Sequence, residues 1–275
     1  MKVCTTINAL RDALAPYKKS AFVPTMGNLH DGHIALIQLA KPLGDVTVAS
    51  IFVNRLQFLP HEDFGSYPRT FDADCHKLAD AGCDVLFAPD ETELYPQPQT
   101  YKVHPPAAIA DVLEGHFRPG FYVGVATVVM KLFSIVQPRV AVFGKKDYQQ
   151  LMVIRNMVQQ FALPIVVVGG ETIRAADGLA LSSRNSYLSS AARIEAPRLQ
   201  KTLRALIESV QRGAPIGQAQ THAMQTLAEH GWAPDYVVLR ARSDLSELAS
   251  SQPGHMVAVA AAKLGATRLI DQIEC

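Results

Sequence analysis

Ala21-Phe22-Val23-Pro24-Thr25-Met26-Gly27-Asn28-Leu29-His30-Asp31-Gly32-His33 runs from an apolar segment through a turn with one glycine into a helical pattern, and this order decides the fold. Ala21 to Pro24 reads as a short strand. From Asp31 to Lys41, Ile34, Leu36, Ile37 and Ala40 recur at helical spacing, and Pro42 with Gly44 closes the helix. Val46 to Val53 then returns as a buried strand. Strand, loop, helix, strand is the repeating unit of a parallel sheet, because parallel neighbours need a crossover connection.

The alternation extends in both directions. Upstream, Thr6 caps a helix whose Ile7, Leu10 and Leu14 share a face and which Pro16 ends. Downstream, 70–81, 122–136 and 149–161 read as helices, and 84–87, 139–143 and 165–168 as strands. Residues 1–172 are therefore expected to form a Rossmann-like α/β core with a doubly wound parallel sheet. Beyond it the pattern changes. Two helical runs, 190–212 and 216–230, precede extended runs at 234–240, 255–262 and 267–273. Residues 173–275 read as a smaller α+β domain whose strands pair antiparallel through short connections such as Leu264-Gly265-Ala266.

A chain of 275 residues, 48% hydrophobic and 19% charged, has enough apolar surface for such a core and appendage. Its net charge of +1 is too small to gather nucleic acid or an anionic membrane, so anions must be held by local groups and the partner is expected to be a small molecule. Cys4, Cys75, Cys83 and Cys275 form no Cys-x-x-Cys pair or zinc spacing and read as reduced thiols. No apolar stretch approaches the ~20 residues of a membrane span, and Met1 to Thr5 lacks a secretory pattern. A cytoplasmic location is expected.

Four segments carry residue types suited to phosphate chemistry. His30 and His33 lie three apart in a first helical turn, where N–H groups and the helix dipole favour anions, and Gly32 lets the backbone come close. Gly144-Lys145-Lys146-Asp147 follows a strand at the carboxyl edge of the sheet, where open α/β sheets bind ligands; lysine suits phosphate and aspartate suits Mg²⁺. Leu181-Ser182-Ser183-Arg184 offers hydroxyls and a guanidinium for a leaving pyrophosphate. Asn54, Gln57 and the Gln149-Gln150 pair supply amides at two strand ends to bracket a small polar substrate. Of two adjacent helical residues only one points inward, and Gln149 is expected to face solvent.

Taken with Tyr67-Pro68-Arg69-Thr70, Leu113-Glu114-Gly115, Arg118-Pro119-Gly120, Lys131-Leu132-Phe133 and Asp177 through Asn185, these segments resemble the pantothenate synthetase (pantoate–β-alanine ligase) family of the His-x-Gly-His nucleotidyltransferase superfamily. The resemblance spans nearly the whole chain. It implies ATP and Mg²⁺, the substrates pantoate and β-alanine, a pantoyl-adenylate intermediate, a C-terminal lid and a homodimer formed through the N-terminal domain. It also implies ATP contacts from Met26, Gly27, Asn28, Leu29, His30, Asp31, Gly32 and His33, with His33 as catalytic acid and His30 and Lys146 beside it. Gly144 and Lys145 flank Lys146, which would meet the α-phosphate, and Asp147 would hold the metal. Ile173 would lie near adenine, Leu181, Ser182, Ser183 and Arg184 at the phosphates, and Gln57, Gln150 and Asn54 at pantoate.

Four positions depart from the family pattern. Arg55 replaces a proline and is expected to loosen Gln57; Lys145 replaces an acid and is expected to raise local positive charge. Phe121 replaces a histidine and removes a hydrogen-bond donor. Gly169-Gly170-Glu171 replaces Gly-Val-Pro and is expected to loosen a turn. The competing readings are a nucleotidyltransferase of the same superfamily and a weakened, nucleotide-binding paralogue.

Overall fold

The structure is a computed structural model describing residues 1–59, 62 and 64–275. These divide into two compact units, one comprising Met1–Gly144 and Gln150–Gly170, the other Lys145–Gln149 and Glu171–Cys275.

The first unit is built on a parallel sheet of β1 (Lys2–Cys4), β2 (Ser20–Thr25), β3 (Val46–Ile51), β4 (Val85–Phe87), β5 (Val140–Gly144) and β6 (Val166–Gly170), in the order β1-β4-β3-β2-β5-β6. Strands covered on both faces need apolar residues on both: Phe22, Val23, Val48 and Ala49 are all fully buried. Helices Asp31–Ala40 and Phe71–Asp80 bring Ile37, Ala40 and Leu78 onto Val23, Ala49, Leu86 and Val142. Helix Ile7–Leu14 starts as expected, the Thr6 hydroxyl accepting the Ala9 N–H. The strand order reverses between β2 and β5, so their carboxyl ends bound a topological switch point of the kind that holds ligands. The first of these ends leads into Met26–His33, the second stops at Gly144.

Two features of this unit had no sequence expectation. The three-residue strand β1 pairs parallel with β4 at the sheet edge, and short helices fill Glu91–Leu94, Ala107–Ala110 and Glu114–Phe117.

In the second unit, β7 (Trp232–Ala241), β8 (Met256–Leu264) and β9 (Thr267–Glu274) pair antiparallel, with Gly265 at φ +59° in the β8–β9 turn. Leu199, Leu203, Leu206 and Leu227 from helices Arg198–Gln211 and Ile216–Glu229 pack on Val237, Leu239, Ala258 and Ala260. The helix expected over 190–212 is two helices, Ser190–Glu195 and Arg198–Gln211. Pro197 separates them, since it cannot supply the N–H that a continuous helix needs.

Candidate functional site

In the first unit, Gly27 (φ +82°) and Asn28 (φ +50°) turn the chain through two left-handed residues before His30. His30 is the N-cap of helix Asp31–Ala40: its Nδ1 accepts the Gly32 N–H at 3.1 Å, while His33 Nδ1 accepts the His30 N–H at 3.3 Å. The two imidazoles thus form a capping box, a task usually given to Ser or Thr with Glu or Gln. Their ring centroids lie 4.1 Å apart. An Nδ1 that accepts cannot carry the proton, so in the neutral ring the N–H sits on Nε2. Capping therefore uses Nδ1 of each ring, and the donor of each neutral ring is Nε2. Contrary to the expectation of open N–H groups here, those of Gly32 and His33 are engaged, the latter by the His30 carbonyl at 2.8 Å.

Gln57 is held from three sides. Its Oε1 accepts from Asn54 Nδ2 (3.0 Å), its Nε2 reaches Met26 Sδ (3.0 Å), and its carbonyl accepts from Arg118 (3.2 Å). Asn54, 1% exposed, also donates to the Gly124 carbonyl and accepts from the Tyr95 hydroxyl. Burial pushes the Tyr95 phenol well above its ordinary range, which keeps it a donor. A side chain at Gly124 would meet the Leu56 carbonyl oxygen at 2.0 Å, so only glycine lets helix Phe121–Val136 approach this turn. Beside Gln57, the Arg55 guanidinium binds both oxygens of Glu91 and lies 4.1 Å from the Phe64 ring centroid. Phe121 lies under the Arg118 guanidinium at 3.8 Å.

In the second unit, Lys145–Asp147 form a short 3₁₀ turn. Lys145 does not raise the local charge as expected, because its Nζ is paired with Glu171 (2.5 Å) and Glu274 (2.8 Å). Two departures from the family pattern, Lys145 and Glu171, thus meet in one ion pair. Nor is a turn loosened at Gly169-Gly170: both belong to β6, opposite Phe143 and Gly144 of β5, and a side chain at Gly170 would strike Leu36. Glu274 further accepts from Arg242 (3.0 Å) and the Tyr148 hydroxyl (3.2 Å). Lys146 lies 3.3 Å from the half-exposed carboxylate of Asp147.

A hairpin formed by Ala175 N–H to Leu179 O and Leu181 N–H to Ile173 O carries Ile173 and Leu181. Ser182 then caps the next turn by accepting the Arg184 N–H, and its hydroxyl proton can still donate. Gln149 is 6% exposed, against the expectation that it faces solvent, while Gln150 is partly exposed. The start of helix Tyr148–Gln160 is covered on more than one face, Tyr148, Leu151 and Met152 being buried as well.

The cluster around Glu274 has a defined pH window. Burial alone would push the Glu274 carboxyl up, yet Lys145, Arg242 and Tyr148 hold it below the ordinary range. Burial opposes the Lys145 charge too, but the two glutamates raise it. The carboxylate contribution is therefore present above its unfolded value of ~4.3 and lost in acid, and the ammonium contribution is present below ~10.4 and lost in base. Glu274→Gln is expected to cost roughly 1–3 kcal/mol, constant from about pH 6 to 9 and shrinking below about pH 4. Thermal unfolding of the two proteins across pH checks it.

Asp74, Lys77, Tyr95, Arg118 and Glu274 were not singled out in the sequence as site residues. One signal was available: Asp74 and Leu78 lie four apart in helix Phe71–Asp80, so a charge shares the apolar face.

Comparison with known proteins gives one consistent result. A family model described as Pantoate-beta-alanine ligase matches residues 2–274. The chain is 62% identical over 279 aligned positions to the pantothenate synthetase of Verminephrobacter eiseniae and 59% over 287 to that of Leptothrix cholodnii, each covering 100% of both chains. A pantothenate synthetase structure from Thermus thermophilus superposes with a TM-score of 0.95 at 42% identity, covering 100% of this chain and 99% of that one. A pantoate–β-alanine ligase structure from Francisella tularensis, complexed with β,γ ATP and β-alanine, gives 0.85 at 32% identity, covering 100% and 97%.

Proposed function

The chain belongs to the pantoate–β-alanine ligase family and joins pantoate to β-alanine at the expense of ATP, and we propose that it does so through an acyl adenylate. In the first step a carboxylate oxygen of pantoate bonds to the α-phosphorus, the bond from that phosphorus to the bridging oxygen breaks, and pyrophosphate leaves. In the second the amine of β-alanine bonds to the acyl carbon, the carbon–oxygen bond of the mixed anhydride breaks, AMP leaves and the amine gives up a proton.

The observation that carries this reading is the imidazole capping box. It fixes two rings whose Nε2–H groups suit phosphate oxygens as charge develops on them. His33 takes the catalytic role and His30 the phosphate contact. Lys146 supplies a fixed positive charge for the α-phosphate, which two anions approaching each other require, and Arg184, Ser182 and Ser183 serve the leaving pyrophosphate. Gln57 binds pantoate, supported by its ties to Asn54 and Met26; Gln150 completes that subsite, and Ile173 packs near adenine.

Mg²⁺ bound with the nucleotide neutralises phosphate charge. Asp147 fits as its protein ligand, since its side chain is 46% exposed. Among the described residues no group of three or more His, Cys, Asp or Glu could hold a metal ion. An acyl adenylate hydrolyses readily, so the reaction needs water excluded, and residues 173–275 take the lid role while residues 1–172 bind ATP and pantoate. Among the described residues no helix is long and apolar enough to cross a membrane. A cytoplasmic homodimer joined through the N-terminal domain completes the proposal, on the strength of the family.

The test is pantoate-dependent exchange of labelled pyrophosphate into ATP without β-alanine, followed by AMP release when β-alanine is added. Exchange without pantoate, with a stable nucleotidyl product, would mark a nucleotidyltransferase instead. Calorimetric ATP binding with no exchange would mark a binding paralogue.

A further inference from the structure

Tyr67-Pro68-Arg69-Thr70 leads into a helix, Phe71–Asp80, to which the reaction above gives no task. Yet that helix grips the histidine loop. Asp74, 1% exposed, accepts the Asn28 N–H on Oδ2 and the Leu29 N–H on Oδ1, each at 2.8 Å. One turn on, Lys77 Nζ donates to the Leu29 carbonyl at 2.6 Å. A single helix face therefore engages both the N–H and the carbonyl of Leu29, the residue joined to His30, and the Leu29 side chain is itself 2% exposed.

The loop needs this grip. Asn28 sits at φ +50°, in the left-handed region, which asparagine enters more easily than other residues with a side chain but less easily than glycine. Two charge-assisted hydrogen bonds on consecutive N–H groups hold it there. The fit is close: a side chain at Gly27 would come 3.2 Å from Asp74 Oδ2 and 3.1 Å from Ile51 Cγ2. There is also a chemical consequence. Successive N–H groups in such a turn make an anion cradle, and here Asp74 occupies it, so the Asn28 and Leu29 N–H groups are committed within the protein.

We propose that Asp74 and Lys77 are positioning residues of the ligase: they set the 27–29 turn and, through the Leu29–His30 peptide, the placement of the His30 and His33 rings. Neither touches substrate. The proposal rests on the ligase reading for what the rings do.

The test uses the full-length protein. Asp74→Asn keeps the volume but turns an NH₂ toward one N–H donor, and Lys77→Met keeps the stem but loses the bond to Leu29. Misplacing a reacting group by about 1 Å costs ~10²-fold, so kcat for pantoate-dependent pyrophosphate exchange should fall about 100-fold in Asp74→Asn and about 10-fold in Lys77→Met, with KM for pantoate changing less than 3-fold. Amide hydrogen exchange at Asn28 and Leu29 should accelerate in Asp74→Asn. If Asp74 acts through the rings, Asp74→Asn combined with His33→Asn loses less than the product of the two single losses, because one of the two rings that Asp74 places is already gone. Multiplying losses in the double variant, or folded single variants both within 2-fold of wild-type kcat, would overturn the proposal. A wild-type protein with no exchange activity would instead sink the ligase reading, and unchanged amide protection in Asp74→Asn would still overturn the grip on the loop.

Discussion

His33→Asn is expected to fold as the wild type does and to lose about 10²–10⁴-fold in pantoate-dependent pyrophosphate exchange, the range for a missing acid–base group. The substitution separates the two tasks of the imidazole. The Oδ1 of asparagine can stand where Nδ1 accepts the His30 N–H, now at 3.3 Å, while nothing of the shorter amide reaches the position of Nε2. His33→Gln puts the usual capping-box amide at this position: its Oε1 can accept the His30 N–H, so it should match the wild type in stability, and with that amide committed to the cap it should be about as slow as the asparagine variant. At position 30, asparagine ranks among the best N-cap residues, so His30→Asn should be at least as stable as wild type and slower. The exchange rate at saturating ATP and pantoate, measured beside the thermal midpoint, decides the matter. A His33→Asn protein within a few-fold of wild-type rate would reduce the histidine to a cap.

The loop that carries these rings is local in the sequence, and what holds it is not. Strand, glycine turn and histidine-bearing helix start are local, and β2, the 26–30 loop and helix Asp31–Ala40 lie where periodicity and turn residues put them. The parallel order follows from alternation, and the antiparallel hairpin at Gly265 from the shortness of its turn. Three-residue β1 escapes because an edge strand so short carries no periodicity. Pro197 breaks a helix that hydrophobic spacing alone would continue. The supporting shell is less legible for a different reason: its bonds join residues far apart in the chain. Asp74 is 46 residues from Asn28, and Tyr95 is 41 from Asn54. Arg55 and Lys145 show the limit most clearly. Each looks disruptive against the family pattern, and each is answered by a carboxylate, Glu91 or Glu171 with Glu274, that no local rule connects to it.

Arg174→Ala is expected to destabilise the C-terminal unit by about 3–5 kcal/mol, because it leaves a buried carboxylate without its partner. The Arg174 guanidinium binds both oxygens of Asp271 at 2.7 and 2.8 Å and also donates to the carbonyls of Gly178 and Gln272, each at 3.0 Å. It thereby ties the 173–181 hairpin, and with it the start of the Ser182–Arg184 turn, to β9. Burial pushes the Asp271 carboxyl up even against the pull of Arg174, and removing Arg174 pushes it further. The folded variant must then hold Asp271 protonated while the unfolded chain ionises above ~3.9, so its deficit should grow as pH rises and be smallest near pH 4. Arg174→Met with Asp271→Leu removes both charges and should recover much of the loss, though not the part owed to the two carbonyls. Urea unfolding at pH 4.5 and pH 8 measures all three proteins, and a deficit below about 1 kcal/mol at both pH values would mean that the pair behaves as a solvated surface bridge. If the hairpin does order the phosphate-side residues, Arg174→Ala should also raise KM for ATP more than KM for pantoate, because Gln57 and its partners Asn54 and Met26 lie in the other unit.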